Sequence, residues 1–442
     1  MAEATFHFPR GFLWGTGTSS HQVEGNNTNN NWWAWEQEEG NILNGHTSGS
    51  ACDWWGGRWR EDLDRAAESD HNAHRLSIEW SRVQPSPDHW DESVLDRYRE
   101  IVRGLSERGM TPIVTLHHFS DPLWLAEIGG WENPSVSEYF SAYTKRVVEG
   151  LKEYTNYWIT INEPNVFATN GYLLGVFPPG KRNLFSTINV MTNLVCSHAG
   201  AYHAIHSIQP TARVGAAHNY RGFVPFRSWS PFDRAATGLL TSQFNNFFPR
   251  AFTDGILRFP GWFKRIQAAK GTQDFLGINY YTRDMVAFSL LKTNSLFVRR
   301  FYKPDDELSD NKFIANAPQF MFTALKWGTQ FDIPIIITEN GVENLNDQIR
   351  RNYLIQHLHQ VWRAVNFNYP VKGFLHWTLV DSFEWERGWT QRYGLWELGL
   401  QTQARHKRPS ADLYAEICRQ NCLSSDMVAR YTPEISEELF PG

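Results

Sequence analysis

Short apolar runs, often β-branched, recur along the chain at residues 12–18, 73–80, 111–118, 157–164, 213–219, 274–281, 334–341 and 371–380. Each is nearly continuous in its hydrophobicity rather than alternating with polar positions. That pattern belongs to strands buried on both faces of a parallel sheet. Between several of the runs the apolar period changes to that of a helix. Residues 92–108 place Val94, Leu95, Tyr98, Ile101, Val102 and Leu105 on one stripe, and Gly109 stands where a C-terminal cap belongs. Residues 135–154 repeat the stripe with Val136, Phe140, Tyr143, Val147 and Leu151, and residues 347–367 with Leu354, Leu358, Val361, Trp362 and Val365. Eight strands alternating with helices predict an α/β fold, a single (β/α)8 TIM barrel, in preference to a doubly wound sheet. Three polar or irregular stretches, 19–59, 220–250 and 282–313, predict long functional βα loops. No low-complexity linker divides the chain, so residues 1–442 read as one domain. Its polar tail, 423–442, either wraps the barrel or frays.

Composition narrows the class. A chain of 442 residues suits one barrel with insertions, and 42 Lys+Arg against 47 Asp+Glu leave a net charge of −5. That balance gives no footing for nucleic-acid binding or for electrostatic attachment to a membrane. Residues 1–10 lack the basic and apolar regions of a secretory signal, and no stretch has the apolar length to cross a bilayer. Cys52, Cys196, Cys418 and Cys422 are scattered, and the last two, four apart on an expected helix, lack the second pair of a metal site. Reduced thiols in a cytoplasmic protein are the expectation. The 20 Trp, 29 Phe and 16 Tyr suit the flat C–H faces of sugars, and they suit a large core equally well.

Barrel active sites lie at the C-terminal ends of the strands, and here those ends are polar. The third run ends in His117-His118, the fourth in Asn162-Glu163-Pro164, the sixth in Asn279-Tyr280-Tyr281 and the seventh in Glu339-Asn340-Gly341. The eighth leads from Trp377 to Asp381 and Glu384-Trp385. A lone glutamate after a strand is ordinarily a solvated or capping residue; several polar ends on one rim are not explained by packing. Glu163 and Glu339 stand on strands nearly opposite in an eight-membered ring, and paired carboxylates are what glycoside cleavage requires. A separation of about 5–5.5 Å gives retention of configuration and about 6.5–9.5 Å gives inversion. Two other classes compete with this reading. One is a sugar-binding barrel without catalysis; the other is a metal-dependent hydrolase suggested by His71, His74, His117 and His118. His71 and His74 read more simply as a helix-end and core pair, and two carboxylates need no metal or organic cofactor.

The motifs Thr160-Ile161-Asn162-Glu163-Pro164, Ile337-Thr338-Glu339-Asn340-Gly341 and Phe8-Pro9-Arg10-Gly11-Phe12-Leu13-Trp14-Gly15 resemble those of glycoside hydrolase family 1, the β-glucosidase family. The resemblance runs in order from about Phe8 to Cys418. It implies Glu163 as general acid/base, Glu339 as nucleophile, and Arg75 and Tyr281 as the groups that keep the nucleophile ionised. It further implies Asn162 on the sugar 2-hydroxyl, with Gln22, His117, Trp377, Glu384 and Trp385 gripping the terminal sugar and Asn279 and Tyr393 completing the pocket. The implied reaction is retaining hydrolysis of small-molecule β-glycosides or cello-oligosaccharides, with transglycosylation when another acceptor displaces water. Glu384 implies a free sugar rather than a 6-phosphate, and Glu163, a glutamate where the thioglucosidase branch has an amide, implies O-glycosides. Two places depart from the family. His118 stands where an aromatic residue or tryptophan is common. Residues 310–320 lack the usual Gly-Trp-Glu pattern, leaving Phe313 or Ile314 to form the leaving-group wall.

Overall fold

The computed structural model describes residues 4–292 and 297–440. Eight parallel strands close into a barrel: β1 (Leu13–Gly17), β2 (Ala73–Ser77), β3 (Thr111–His117), β4 (Tyr157–Asn162), β5 (Arg213–Pro225), β6 (Phe275–Phe288), β7 (Ile335–Asn340) and β8 (Val371–His376). They pair in chain order, and β8 returns to β1 through Gly373 against Leu13. A helix follows each strand: α1 (Trp59–Glu68), α2 (Glu92–Glu107), α3 (Val136–Leu151), α4 (Leu184–Ile208), α5 (Phe247–Asp254), α6 (Gln319–Gly328), α7 (Gln348–Asn366) and α8 (Pro409–Gln420).

The predicted runs become strands because neither face meets water. Inward, Ala73, Ile113, Ile159, Ala217, Phe275, Ile336 and Leu375, one from each of β2 to β8, pack as a single cluster with Leu13 of β1 against them. Outward, Leu76, Val114, Leu116 and Trp158 pack under the helices together with Leu95, Ile101 and Leu105 of α2. Burying each such aliphatic side chain contributes about 1.5–3 kcal/mol, so the α2 stripe holds that helix to the barrel. Its ends are also fixed locally. The Asp91 carboxylate accepts from the backbone N–H groups of Ser93 and Val94, and Gly109 takes φ +75° after the last turn.

The structure departs from the sequence expectations at several ends. β2 and β8 stop earlier than the apolar runs do, since residues 80–83 form a helical turn and the chain leaves the barrel after His376. β5 and β6 run further, pairing as far as Pro225 with Val286, and Val298–Phe301 adds antiparallel to β6. The stretches 220–250 and 282–313 are therefore not plain loops. The first contains the outer part of β5, a helix at Pro231–Leu240 and the start of α5. Residues 293–296 of the second lie outside the described residues. Arg221, Gly222, Pro225, Arg283 and Asp284 disguise the extension, because the charged side chains beyond the barrel rim are held as ion pairs, Arg221 with Asp284 and Arg283 with Asp306.

The tail wraps. Asn421 turns left-handed (φ +51°) and ends α8, so Cys422 is not on the helix with Cys418 as expected. It opens a strand, Cys422–Ser424, that pairs antiparallel with Thr5–His7. Phe440 then stacks on Phe6 at 4.9 Å; residues 441–442 lie outside the described residues. All four cysteines are free thiols, and no helix among the described residues is long and apolar enough to cross a membrane.

Candidate active site

At the C-terminal ends of β4 and β7 the regular pairing slips. The register of β4 on β5 shifts between Ile159 and Asn162, and that of β7 on β6 between Ile337 and Glu339. A slip of this kind re-aims the side chains that follow it. In β4, Thr160 still points outward to His198 of α4 at 2.6 Å, whereas Asn162 turns inward to Arg75. Glu163 follows with φ +44°, and Pro164 starts a short helix behind it. Left-handed backbone at a non-glycine residue costs about 1–3 kcal/mol and clusters at functional sites. The glycine of Glu339-Asn340-Gly341 has a steric reason, since a Cβ there would lie 2.1 Å from the Trp377 carbonyl oxygen.

The two glutamates sit in different company. Arg75, wholly buried on β2, donates from Nη1 to Glu339 Oε1 at 2.5 Å and from Nη2 to Asn162 Oδ1 at 2.6 Å. Its Nε donates to Thr115 Oγ1 at 3.0 Å, which fixes the guanidinium plane. The Tyr281 hydroxyl donates to Glu339 Oε2 at 2.6 Å. Burial raises the Glu339 carboxyl above its ordinary range, and Arg75 and then Tyr281 pull against that rise. Glu163 has no cation in contact. Its Oε1 accepts from the amides of Asn219 and Asn279, each at 2.8 Å, and its Oε2 has no partner among the described residues. Asn279 is oriented by the Thr338 hydroxyl, which donates to its Oδ1 at 2.6 Å. Burial first, and the Glu339 charge second, push the Glu163 carboxyl up to about 8. Negative charge is thus favoured on Glu339 and a proton on Glu163, and with both amides on Oε1 that proton belongs on Oε2. Such a divided pair can supply an acid and a nucleophile at neutral pH.

The pair opens on a pocket of about 700 Å³ that Asn162, Glu163, Tyr281, Glu339, Trp377, Glu384, Trp385 and Tyr393 help to line. Arg75, Asn279 and Gln22 stand one layer behind. Gln22 accepts from Ser19 at 2.6 Å and donates to the Phe383 carbonyl at 2.6 Å and to Glu384 at 3.1 Å. Burial, then the charges of Glu386 and Glu339, hold the Glu384 carboxyl well above its usual range. The Tyr393 hydroxyl donates to Gln391 at 3.2 Å.

His117 is a correction. Alternation from Ile113 and Thr115 would aim it inward, but the strand end breaks the period. Its ring packs among Trp131, Phe140 and Phe167 and bonds Asp121 at 3.0 Å, away from the pocket lining. The neighbouring His118 lines the pocket instead, stacked with Trp377 (5.9 Å) and Trp385 (5.8 Å). Asn162 has its Oδ1 committed to Arg75, so its Nδ2 donates to His118 Nε2 at 2.9 Å, leaving the proton on Nδ1. Burial, then Arg75 and His117, hold this imidazole well below its ordinary value, so it is neutral. Asn219, which holds Glu163, was absent from the sequence-based set because it ends an apolar run whose rim neighbours carry no motif. Its place at the end of the fifth run was the available signal.

Phe313 and Ile314 both line the pocket mouth, where the missing Gly-Trp-Glu pattern left the wall open. The four histidines do not converge. His74 bonds Thr16 and Thr18 beside Trp54, and His71 packs on the Tyr414 ring. Among the described residues no three His, Cys, Asp or Glu side chains gather as metal ligands would.

Comparison with known proteins adds relatives to this geometry. The family model described as glycosyl hydrolase family 1 matches residues 4–423. A 1,4-beta-D-glucan glucohydrolase of Thermotoga neapolitana is 30% identical over 448 residues, covering 94% of this chain and 99% of that protein. Beta-glucosidase A of Thermotoga maritima is 30% identical over 447 residues, covering 94% and 98%. Among solved structures, a beta-glycosidase from Pyrococcus horikoshii superposes with a TM-score of 0.90 at 35% identity, over 97% of this chain and 98% of that one.

Proposed function

Since the chain belongs to glycosyl hydrolase family 1 and is a glycoside hydrolase, we propose that it is a retaining β-glycosidase that removes terminal β-D-glucosyl residues from the non-reducing end of small glycosides. The observation that carries this reading is the division between the carboxyls: Glu339 held by Arg75 and Tyr281, Glu163 held by two neutral amides. In the first step Glu339 attacks the anomeric carbon while Glu163 gives its proton to the departing oxygen, so the bond to the aglycone breaks as the glycosyl–enzyme ester forms. Esterification removes the Glu339 charge, which is one of the two causes that raise Glu163. Glu163 then turns from acid to base and takes a proton from the water that cleaves the ester. A sugar hydroxyl in place of that water gives transglycosylation from the same intermediate.

The names of the relatives favour glucose, and the β-galactosidases among them extend the reading to galactosides. Glu384 favours a neutral sugar, because its carboxyl, bonded to the Gln22 amide, offers no cation to pair with a phosphate on the 6-hydroxyl. His118 replaces His117 in the proposed sugar-binding set, which otherwise comprises Asn162, Tyr281, Trp377, Glu384, Trp385 and Tyr393, backed by Gln22 and Asn279.

An activated 2-deoxy-2-fluoro-β-glucoside tests the reading. The fluorine slows both steps and the good leaving group restores the first, so an ester should accumulate. Intact mass and peptide mapping should find one added sugar on Glu339. Turnover of the ordinary glucoside with no adduct would refute retention through Glu339.

A further inference from the structure

The lining of the pocket is polarised along its depth. Its acidic side chains, among the described residues, are Glu163, Glu339, Glu384 and Glu386. Its cations are four arginines: Arg182, Arg221, Arg300 and Arg387. Position on β5 says which end of a substrate they meet. Asn219 holds Glu163, and Arg221 follows two residues later on the same strand, beyond the barrel rim at the register shift between Tyr220 and Gly222, where its backbone bonds the Asn245 side chain. The group that gives its proton to the leaving oxygen therefore lies between the sugar and this arginine.

Charge is not balanced there. Arg221 donates from Nε and Nη2 to the two oxygens of buried Asp284, at 2.6 and 2.9 Å. Arg300, on the strand added outside β6, reaches the same carboxylate at only 3.5 Å, and its side chain is 41% exposed. Two guanidiniums thus share one carboxylate. Burial and the charge of Arg221 hold Arg300 below its ordinary value, as for an incompletely neutralised cation. Arg182 has no hydrogen bond or ion pair among the described residues, whereas Arg387 pairs with Glu386 at 3.2 Å and covers the ring of Phe313. Phe244 and Phe313 line the same mouth.

We infer that the leaving-group side of this pocket is an anion site, selecting aryl β-glycosides whose aglycone carries a carboxylate or a comparable anionic substituent, with Arg300 as the group that reads it. This rests on the β-glycosidase reading above and narrows its substrate class. Guanidinium suits the task because its planar fork of donors matches a carboxylate. The aromatic side chains would take the ring that carries it.

The test compares 4-carboxyphenyl β-D-glucoside with its methyl ester in the intact enzyme and in Arg300→Gln. The quantity read is the acid-to-ester ratio of kcat/KM, in which leaving-group reactivity and any general damage to the variant cancel. One charge-assisted contact at a partly exposed site predicts that Arg300→Gln lowers the ratio about tenfold. Added salt should lower the ratio in the unaltered enzyme as well, a measurement that does not depend on the variant folding. A ratio that moves neither with the substitution nor with salt overturns the inference, and turnover of both glucosides would leave the β-glycosidase reading standing. Turnover of neither glucoside would overturn that reading and the inference with it.

Discussion

Replacing Glu163 by glutamine should disable the enzyme and stabilise it at the same time. The substitution is nearly isosteric, and the new side-chain carbonyl can keep both amide bonds from Asn219 and Asn279. It removes a carboxyl that burial and Glu339 have moved from its ordinary 4.5 to about 8. The sign follows from proton counting. Between these two values the folded state holds a proton that the unfolded state has lost, so stability falls as pH rises through that window. Each pH unit climbed inside the window costs about 1.36 kcal/mol, and pH 7.5 lies about three pH units above the unfolded value, a cost of about 4 kcal/mol. At pH 5 the same linkage costs less than about 1 kcal/mol. Equilibrium unfolding in urea at both pH values should therefore show Glu163→Gln more stable by about 3–5 kcal/mol at pH 7.5 and nearly equal at pH 5. In activity assays, glucosides with poor leaving groups should lose about 10²–10⁴-fold in rate, while activated aryl glucosides keep most of their first step. A gain that is the same at both pH values, or absent at pH 7.5, would refute the claim that burial holds this carboxyl protonated.

Three other perturbations probe neighbouring groups. Arg75→Met removes the cation that favours a charged Glu339, so the acid limb of kcat/KM should move to higher pH, with about 3–5 kcal/mol lost on unfolding because a buried charge is left alone; an unmoved limb would count against the assignment. Asn219→Ala removes a hydrogen bond that lowers the Glu163 value, so the basic limb should move to higher pH, and a move downward would show that the amide favours the proton instead. His118→Ala should reduce kcat/KM on a simple glucoside by about tenfold or more, whereas His117→Gln should change it by less than about threefold; the reverse order would restore His117 to the pocket.

The barrel was legible because it is buried on both sides. Runs such as 111–118 and 334–341 carry no polar position for solvent, and the stripe of α2 is bounded by Asp91 and Gly109, whose side chain and backbone freedom match their places. What was missed shares a physical cause. Beyond the rim, β5 and β6 hold their charged residues as ion pairs, Arg221 with Asp284 and Arg283 with Asp306, so these residues are compatible with strand and a search for apolar runs passes over them. The histidine error has the same character at smaller scale. Strict alternation assigns His117 inward, and only the three-dimensional path shows the period breaking so that His118 enters. Glu163, Glu339 and Arg75 were visible through short motifs at strand ends; Asn219 was not, since its role depends on which carboxyl stands across from it.

The register slips near the ends of β4 and β7 have an evolutionary consequence. Below each slip, Ile159 and Ile336 are bound to the packing of the barrel interior; above it, Asn162, Glu163 and Glu339 face the pocket on their own terms. A change above the slip leaves the interior packing intact and reaches stability only through the charge it adds or removes, whereas one below it, such as Ile336→Ala, opens a cavity worth about 2–5 kcal/mol of folding free energy. New specificities can therefore be sampled on the rim without first rebuilding the packed layer beneath it.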